Sequence, residues 1–172
     1  MSELAEPGPE NGFYSDHVRL LRDSLRRWTG STLIDPTVAD ADCGHWLFEA
    51  PFAVLSHGTG ADPTFTYGNR AALRIFEMSW RDLLSLPSRL SAEPADRSER
   101  ARLLERVSKH GCIEDYSGIR ISRTGRRFLI ERATVWNMLD RGGDYAGQAA
   151  MFRDWRQVRR EHLLQLSRLK RG

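Results

Sequence analysis

The sequence predicts an α+β domain: a five-stranded antiparallel sheet with short helices on one face, flanked by amphipathic helices at both ends. Three observations predict it. Short apolar runs bounded by glycine and proline occur in two groups, two early and three late; helical periodicity fills the interval between them; and amphipathic stripes bracket the whole. A chain of 172 residues, 40% apolar and 28% charged, has the composition of one globular domain and enough length to bury about two-thirds of its unfolded surface.

The elements follow in order. Residues Met1 to Gly12 contain two prolines, two glycines and three glutamates but no Lys or Arg, so they are expected to be disordered and lack the basic start of a secretory leader. Tyr14, Val18, Leu21, Leu25 and Trp28 recur at steps of four and three along one stripe of a helix ending at Gly30, with Arg19, Arg22, Arg26 and Arg27 as its solvated side. A second helix is expected over Ala39–Glu49, stopped because Pro51 disfavours helix in the residue before it.

Phe52–Ser56, between Pro51 and Gly58, reads as a buried strand. After a turn at Ala61–Pro63, Thr64–Tyr67 alternates as a second strand and leads to Asn69, whose side chain suits the cap of a helix over Arg70–Glu77. Ser79 with Asp82 forms a capping-box pair for the next short helix, and Pro87 and Pro94 keep these pieces short. Asp96 and Glu99 open a longer helix with Leu103, Leu104 and Val107 on its apolar face and Gly111 just past its end.

The period then changes to two. Ile113, Ser117, Ile119 and Ile121 are expected on one side of a strand, with Tyr116, Arg120 and Ser122 on the other. A two-residue turn at Thr124-Gly125 places Ile121 opposite Phe128 and Ile119 opposite Ile130, followed by a strand over Phe128–Leu139, a turn at Arg141–Asp144 and a last strand over Tyr145–Phe152. Finally Trp155, Val158, His162, Leu166 and Leu169 fall on one stripe of a C-terminal helix. The expected organisation is a disordered segment 1–12, a domain over 13–155 and a basic amphipathic helix over 156–172.

The net charge of +3 is uneven: residues 153–172 carry +5, leaving −2 for the rest. The basic tail has no interleaved aromatics, so nucleic acid is not an expected partner. No apolar run approaches the roughly 20 residues that cross a bilayer. Two cysteines, Cys43 and Cys112, do not make a disulfide scaffold and fit free thiols in a cytoplasmic protein.

Certain strings are specific: Ala50-Pro-Phe-Ala-Val-Leu-Ser-His-Gly-Thr59, Asn69-Arg-Ala-Ala-Leu73, Leu86-Pro-Ser-Arg-Leu-Ser-Ala-Glu-Pro94, Tyr116-Ser-Gly-Ile-Arg-Ile121 and Ala133-Thr-Val-Trp-Asn137. Through them the chain, from about Leu20 to Phe152, resembles the MEKHLA domain family, which is PAS-related. The resemblance implies a PAS-like sheet and a sensory or interaction module that binds a small-molecule ligand or another protein and forms a homodimer, here through the bracketing helices. It names no cofactor, which stays unknown, and no ligand. The DNA-directed role of plant relatives that carry homeodomain and START regions does not transfer, because those regions are not in this sequence.

No catalytic constellation is legible. Ser56 and His57 are adjacent on a strand and point to opposite faces, so they do not form a nucleophile and base, and no carboxylate pair, phosphate loop or dinucleotide fingerprint occurs. The chain is read as non-enzymatic, the alternative being a small-metabolite enzyme on an α+β cage without a readable motif. Cys43-Gly-His45 and His110-Gly-Cys112 have zinc-ligand types at a spacing too short for a structural site, so no metal is expected. His110, near the end of the longest helix, is weighed as a haem ligand of the kind some PAS domains use, against the simpler role of satisfying helix carbonyls. The flavin-adduct cysteine motif of other PAS domains is absent. A ligand pocket is expected between the sheet and the short helices, with Trp80, Arg89, Arg132, Trp136 and Gln148 as its candidate residues. Arg132 is expected to point inward beside Ile119 and Ile130, answered by Asp115 or by an anionic ligand.

Overall fold

Helix α1 (Ser15–Thr29) forms where the sequence stripe predicts it and closes at Gly30, whose φ of 74° lets its N–H reach the Arg26 carbonyl. The computed structural model describes residues 4–93 and 96–159. Val18, Leu21 and Leu25 are fully buried and share one core with Trp136 and Met138, so the apolar stripe of α1 is consumed on the sheet. Arg22 on the solvated side bridges Asp23 and Asp40, each at 2.8 Å.

Strands β1 (Ala53–His57), β2 (Phe65–Gly68), β3 (Cys112–Ile121), β4 (Arg127–Leu139) and β5 (Tyr145–Phe152) are ordered β2-β1-β5-β4-β3, with every pair antiparallel. Helices α2 (Cys43–Phe48), α3 (Arg70–Phe76), α4 (Trp80–Ser85) and α5 (Arg97–His110) complete the domain. The second helix is shorter than the expected Ala39–Glu49, because a 3-10 turn at Asp40–Asp42 precedes it. Ser79 caps α4 through the predicted reciprocal pair with Asp82.

Two faces of the sheet carry different helices. Register and alternation place Val54, Ser56, Tyr67, Trp136 and Ala149 on the α1 face, while Leu55, His57, Val135, Gln148 and Ala150 face α5. On that second face Leu103 and Val107 of α5 pack with Val135, Tyr116 and Ala150.

The structure differs from the sequence expectation at four places. The β3–β4 connection is a three-residue loop, Arg123-Thr124-Gly125, with Gly125 at φ 88° and Ser122 N–H donating to Arg126 C=O. Phe128 therefore pairs with Arg120 and Ile130 with Gly118, one residue off the register of a two-residue turn, which sends Arg120 to the α5 face.

Second, Trp155 does not begin a helix. Asp154–Gln157 form a sixth strand, β6, paired with Phe128–Glu131 of β4, because the edge of β4 beyond β5 offers unpaired backbone groups that an extended chain satisfies. The remainder of the expected C-terminal helix, including His162, Leu166 and Leu169, lies outside the described residues.

Third, of the segment expected to be disordered, residues 4–12 are fixed. The carbonyls of Leu4 and Ala5 accept hydrogen bonds from Trp80 Nε1 (3.0 Å) and the Tyr14 hydroxyl (2.6 Å), and Pro9–Tyr14 form a 3-10 turn.

Fourth, Asp115 and Arg132 adopt φ of 62° and 52°, where β3 and β4 slip register between Ile113 and Gly118. The bulge turns Arg132 outward, to an exposed ion pair with Asp154 at 2.8 Å, and not inward beside Ile130.

Candidate functional site

A cavity of about 60 Å³ lies between the α5 face of the sheet and α5 itself. Taking roughly 10–15 Å³ of such space per water, it has room for about four to six waters or a compact molecule of similar size. Its wall is mainly apolar, from Leu55, Phe65, Leu103, Ile130, Val135 and Phe152, and it is interrupted by the small Ser91 and by five larger polar side chains: His57, Arg100, Tyr116, Arg120 and Gln148.

Each polar group is set by a definite element. Arg100 stands one turn before Leu103 and Leu104 on α5, so it falls on the helix's inner stripe, and its Nη2 donates to Ser88 Oγ at 3.1 Å. Burial, and secondly repulsion from Arg120, pushes the Arg100 pKa down to about 10, which leaves it a cation at neutral pH. Arg120, 8% exposed, donates to the Ile119 carbonyl at 2.9 Å and to the Tyr116 hydroxyl at 3.1 Å, with its guanidinium 5.4 Å from the Tyr116 ring centre.

Gln148 Nε2 donates to Leu104 C=O at 3.0 Å and to Asn137 Oδ1 at 3.1 Å, tying β5 to α5. His57 bonds the Gly58 carbonyl through Nδ1 at 2.8 Å, and burial lowers its pKa below the ordinary histidine value. Ser56, its neighbour, points the other way and bonds His17 Nε2 and Thr66 Oγ1, each at 2.9 Å. The two side chains occupy opposite faces, as strand alternation requires.

Of the five residues named from sequence, Gln148 lines the cavity and the other four sit elsewhere. Trp80 stacks on Tyr14 at 5.8 Å and meets Tyr67 edge-on, fastening α4 to the N-terminal segment. Trp136 is fully buried on the α1 face. Arg89 holds Asp62 on the surface at 2.9 Å, and Arg132 is turned out by the bulge. His110 is exposed at the end of α5, outside the cavity lining. Among the described residues no cluster of three His, Cys, Asp or Glu side chains is arranged to hold a metal, and no cysteine lines the cavity. Arg100, Arg120, His57 and Tyr116 are not among the pocket residues expected from sequence. Arg100 had a readable signal, since it lies three, four and seven residues before Leu103, Leu104 and Val107.

A family model described as the MEKHLA domain matches residues 15–157. No curated protein matches the chain. Among solved structures it is similar to a PAS domain from Colwellia psychrerythraea, at TM-score 0.53 and 12% identity, over 63% of this chain and 87% of that one. A PAS domain from a two-component sensor histidine kinase aligns at TM-score 0.51 and 21% identity, over 66% of this chain and 91% of that one. An RNA-binding light-oxygen-voltage receptor aligns at TM-score 0.56 and 17% identity, over 83% of this chain but 40% of the receptor.

Proposed function

Because the chain belongs to the MEKHLA domain family and has a PAS-like fold, we propose that it is a sensory module whose ligand site is the cavity under α5. The observation that supports this is the convergence of five polar side chains from four separate elements on one apolar cavity, an arrangement that fixes the orientation of a small molecule. A non-enzymatic role is supported by the same wall, where one histidine stands without an Asp or Glu among the lining residues to serve as its acid or base partner. A cytoplasmic setting fits the unpaired Cys43 and Cys112; among the described residues no helix is long and apolar enough to cross a membrane.

Homodimerisation is the second part of the proposal. The apolar stripe of α1 is spent inside the domain, so the version that uses both bracketing helices reduces to the segment after Arg159. Removing residues 160–172 should shift a dimer to monomer in light scattering, and an unchanged dimer would place the interface elsewhere.

Native mass spectrometry of freshly purified protein tests the ligand site. The expected result is a mass increment that is lost on denaturation and is missing in Leu103→Trp, where the indole fills the cavity. An increment that persists in that variant, or no increment together with no thermal shift across a small-metabolite panel, overturns the assignment.

A further inference from the structure

Two guanidinium groups share the cavity, and among the described residues neither has a counter-charge. Elsewhere arginines meet carboxylates: Arg70 with Glu49, Arg89 with Asp62, Arg123 with Asp82. Among the described residues Arg100 and Arg120 have no ion pair, and their hydrogen-bond partners are all neutral oxygens, from Ser88, Ile119 and Tyr116. Each keeps unused N–H donors, since a guanidinium has five.

Taking one such cation out of water without a partner is costly, and placing a second beside it adds repulsion. Arg100 feels that repulsion, since Arg120 adds to burial in lowering its proton affinity. A merely structural pair of arginines would be stabilised by moving either one to solvent or giving it an acid. Among the described residues the fold does neither: Arg100 is aimed inward by the helix stripe and Arg120 by the three-residue loop, and no described Asp or Glu is in the lining.

We propose that the cavity binds a short-chain organic carboxylate, its head between Arg100 and Arg120 and its hydrocarbon end against Leu103, Ile130 and Val135. The assignment rests on the reading of this cavity as the ligand site. Planar carboxylate suits guanidinium donors, singly or as a fork. An apolar wall opposite the charges favours an acid with a carbon tail over an inorganic oxyanion, whose every face needs hydrogen bonds. The volume limits that tail to a few carbons.

Isothermal titration of the full chain at pH 7.5 with butyrate, its neutral isostere butyramide and inorganic phosphate tests the proposal. Butyrate should bind at least tenfold more tightly than the other two. Arg100→Gln and Arg120→Gln should each weaken butyrate at least tenfold, while melting without ligand at or above the wild-type temperature, because each removes an unpaired buried charge. Equal binding of butyramide would keep the cavity as a ligand site but overturn the carboxylate. Preference for phosphate, or unaltered butyrate affinity in both folded variants, would overturn it as well. Acetate, butyrate and hexanoate all failing, with butyramide also silent, would remove the ligand site along with it.

Discussion

Asn69 and Val54 hold each other through two hydrogen bonds: Asn69 Oδ1 accepts from Val54 N–H at 3.0 Å, and Val54 C=O accepts from Asn69 N–H at 3.1 Å. The same Oδ1 caps α3 through Ala72 N–H, and Nδ2 donates to the carbonyls of Leu47 and Phe52. One fully buried amide thus closes the end of α2, the start of β1 and the cap of α3. Asn69→Ala should cost about 3 kcal/mol or more, since it leaves several buried backbone groups without partners. Asn69→Asp should be similarly damaging at neutral pH, because the carboxylate faces two carbonyls. Urea unfolding checks both; a loss under about 1 kcal/mol in either would contradict the linchpin role.

Gly147 should tolerate no side chain. Its φ is 123°, and a Cβ there would stand 2.1 Å from the carbonyl oxygen of His57. Gly147→Ala should destabilise by roughly 3 kcal/mol or more by forcing β5 away from β1. Far-UV circular dichroism with thermal melting gives the answer, and a melting temperature within a degree or two of wild type would show that the strands part easily.

The opposite direction is expected at Tyr67. Its ring is fully buried and its hydroxyl has no hydrogen-bond partner among the described residues, and burial raises the phenol pKa. Tyr67→Phe removes a desolvated polar group at almost constant volume, so it should be neutral or stabilise by up to about 1 kcal/mol. A destabilisation of that size would mean that the hydroxyl is satisfied in solution.

Acid should weaken the fold through His17. Burial lowers its pKa from 6.5 to about 4, so below about pH 6.5 the unfolded chain takes up a proton that the folded chain refuses. Stability then falls as pH drops through that window and the loss levels off below about pH 4, with a total on the order of 3 kcal/mol. His57, also lowered by burial, acts with the same sign. Urea midpoints at pH 7.5 and 4.5 should differ less in His17→Gln than in wild type; an identical difference would assign the acid sensitivity to other groups.

Short-range periodicity made much of this fold legible. The α1 stripe, the Asn69 cap, the Ser79 and Asp82 pair and the strand pattern all depend on residues a few positions apart, where local physics decides. The site was less legible because its polar residues depend on counts of one. A loop of three residues in place of two moved Arg120 to the cavity face, and bulges at Asp115 and Arg132 turned Arg132 out. Neither loop length nor a non-glycine left-handed residue has a strong signal in composition. Trp80 and Trp136, expected in the pocket, instead pack on the opposite side of the sheet, where Trp80 meets Tyr14 and Tyr67 and Trp136 shares the core with α1.

Strand β6 has a consequence for how anything beyond it is connected. The β4–β5 pairing Thr134 with Met151 and the β4–β6 pairing Glu131 with Asp154 follow the same register, so the chain runs on past Phe152 along one edge of β4, and Val158 N–H ends it on the carbonyl of Arg127. The described chain therefore ends beside the turn of the β3–β4 hairpin, on the strand that supplies Ile130 and Val135 to the cavity and on its edge away from β3, which carries Arg120.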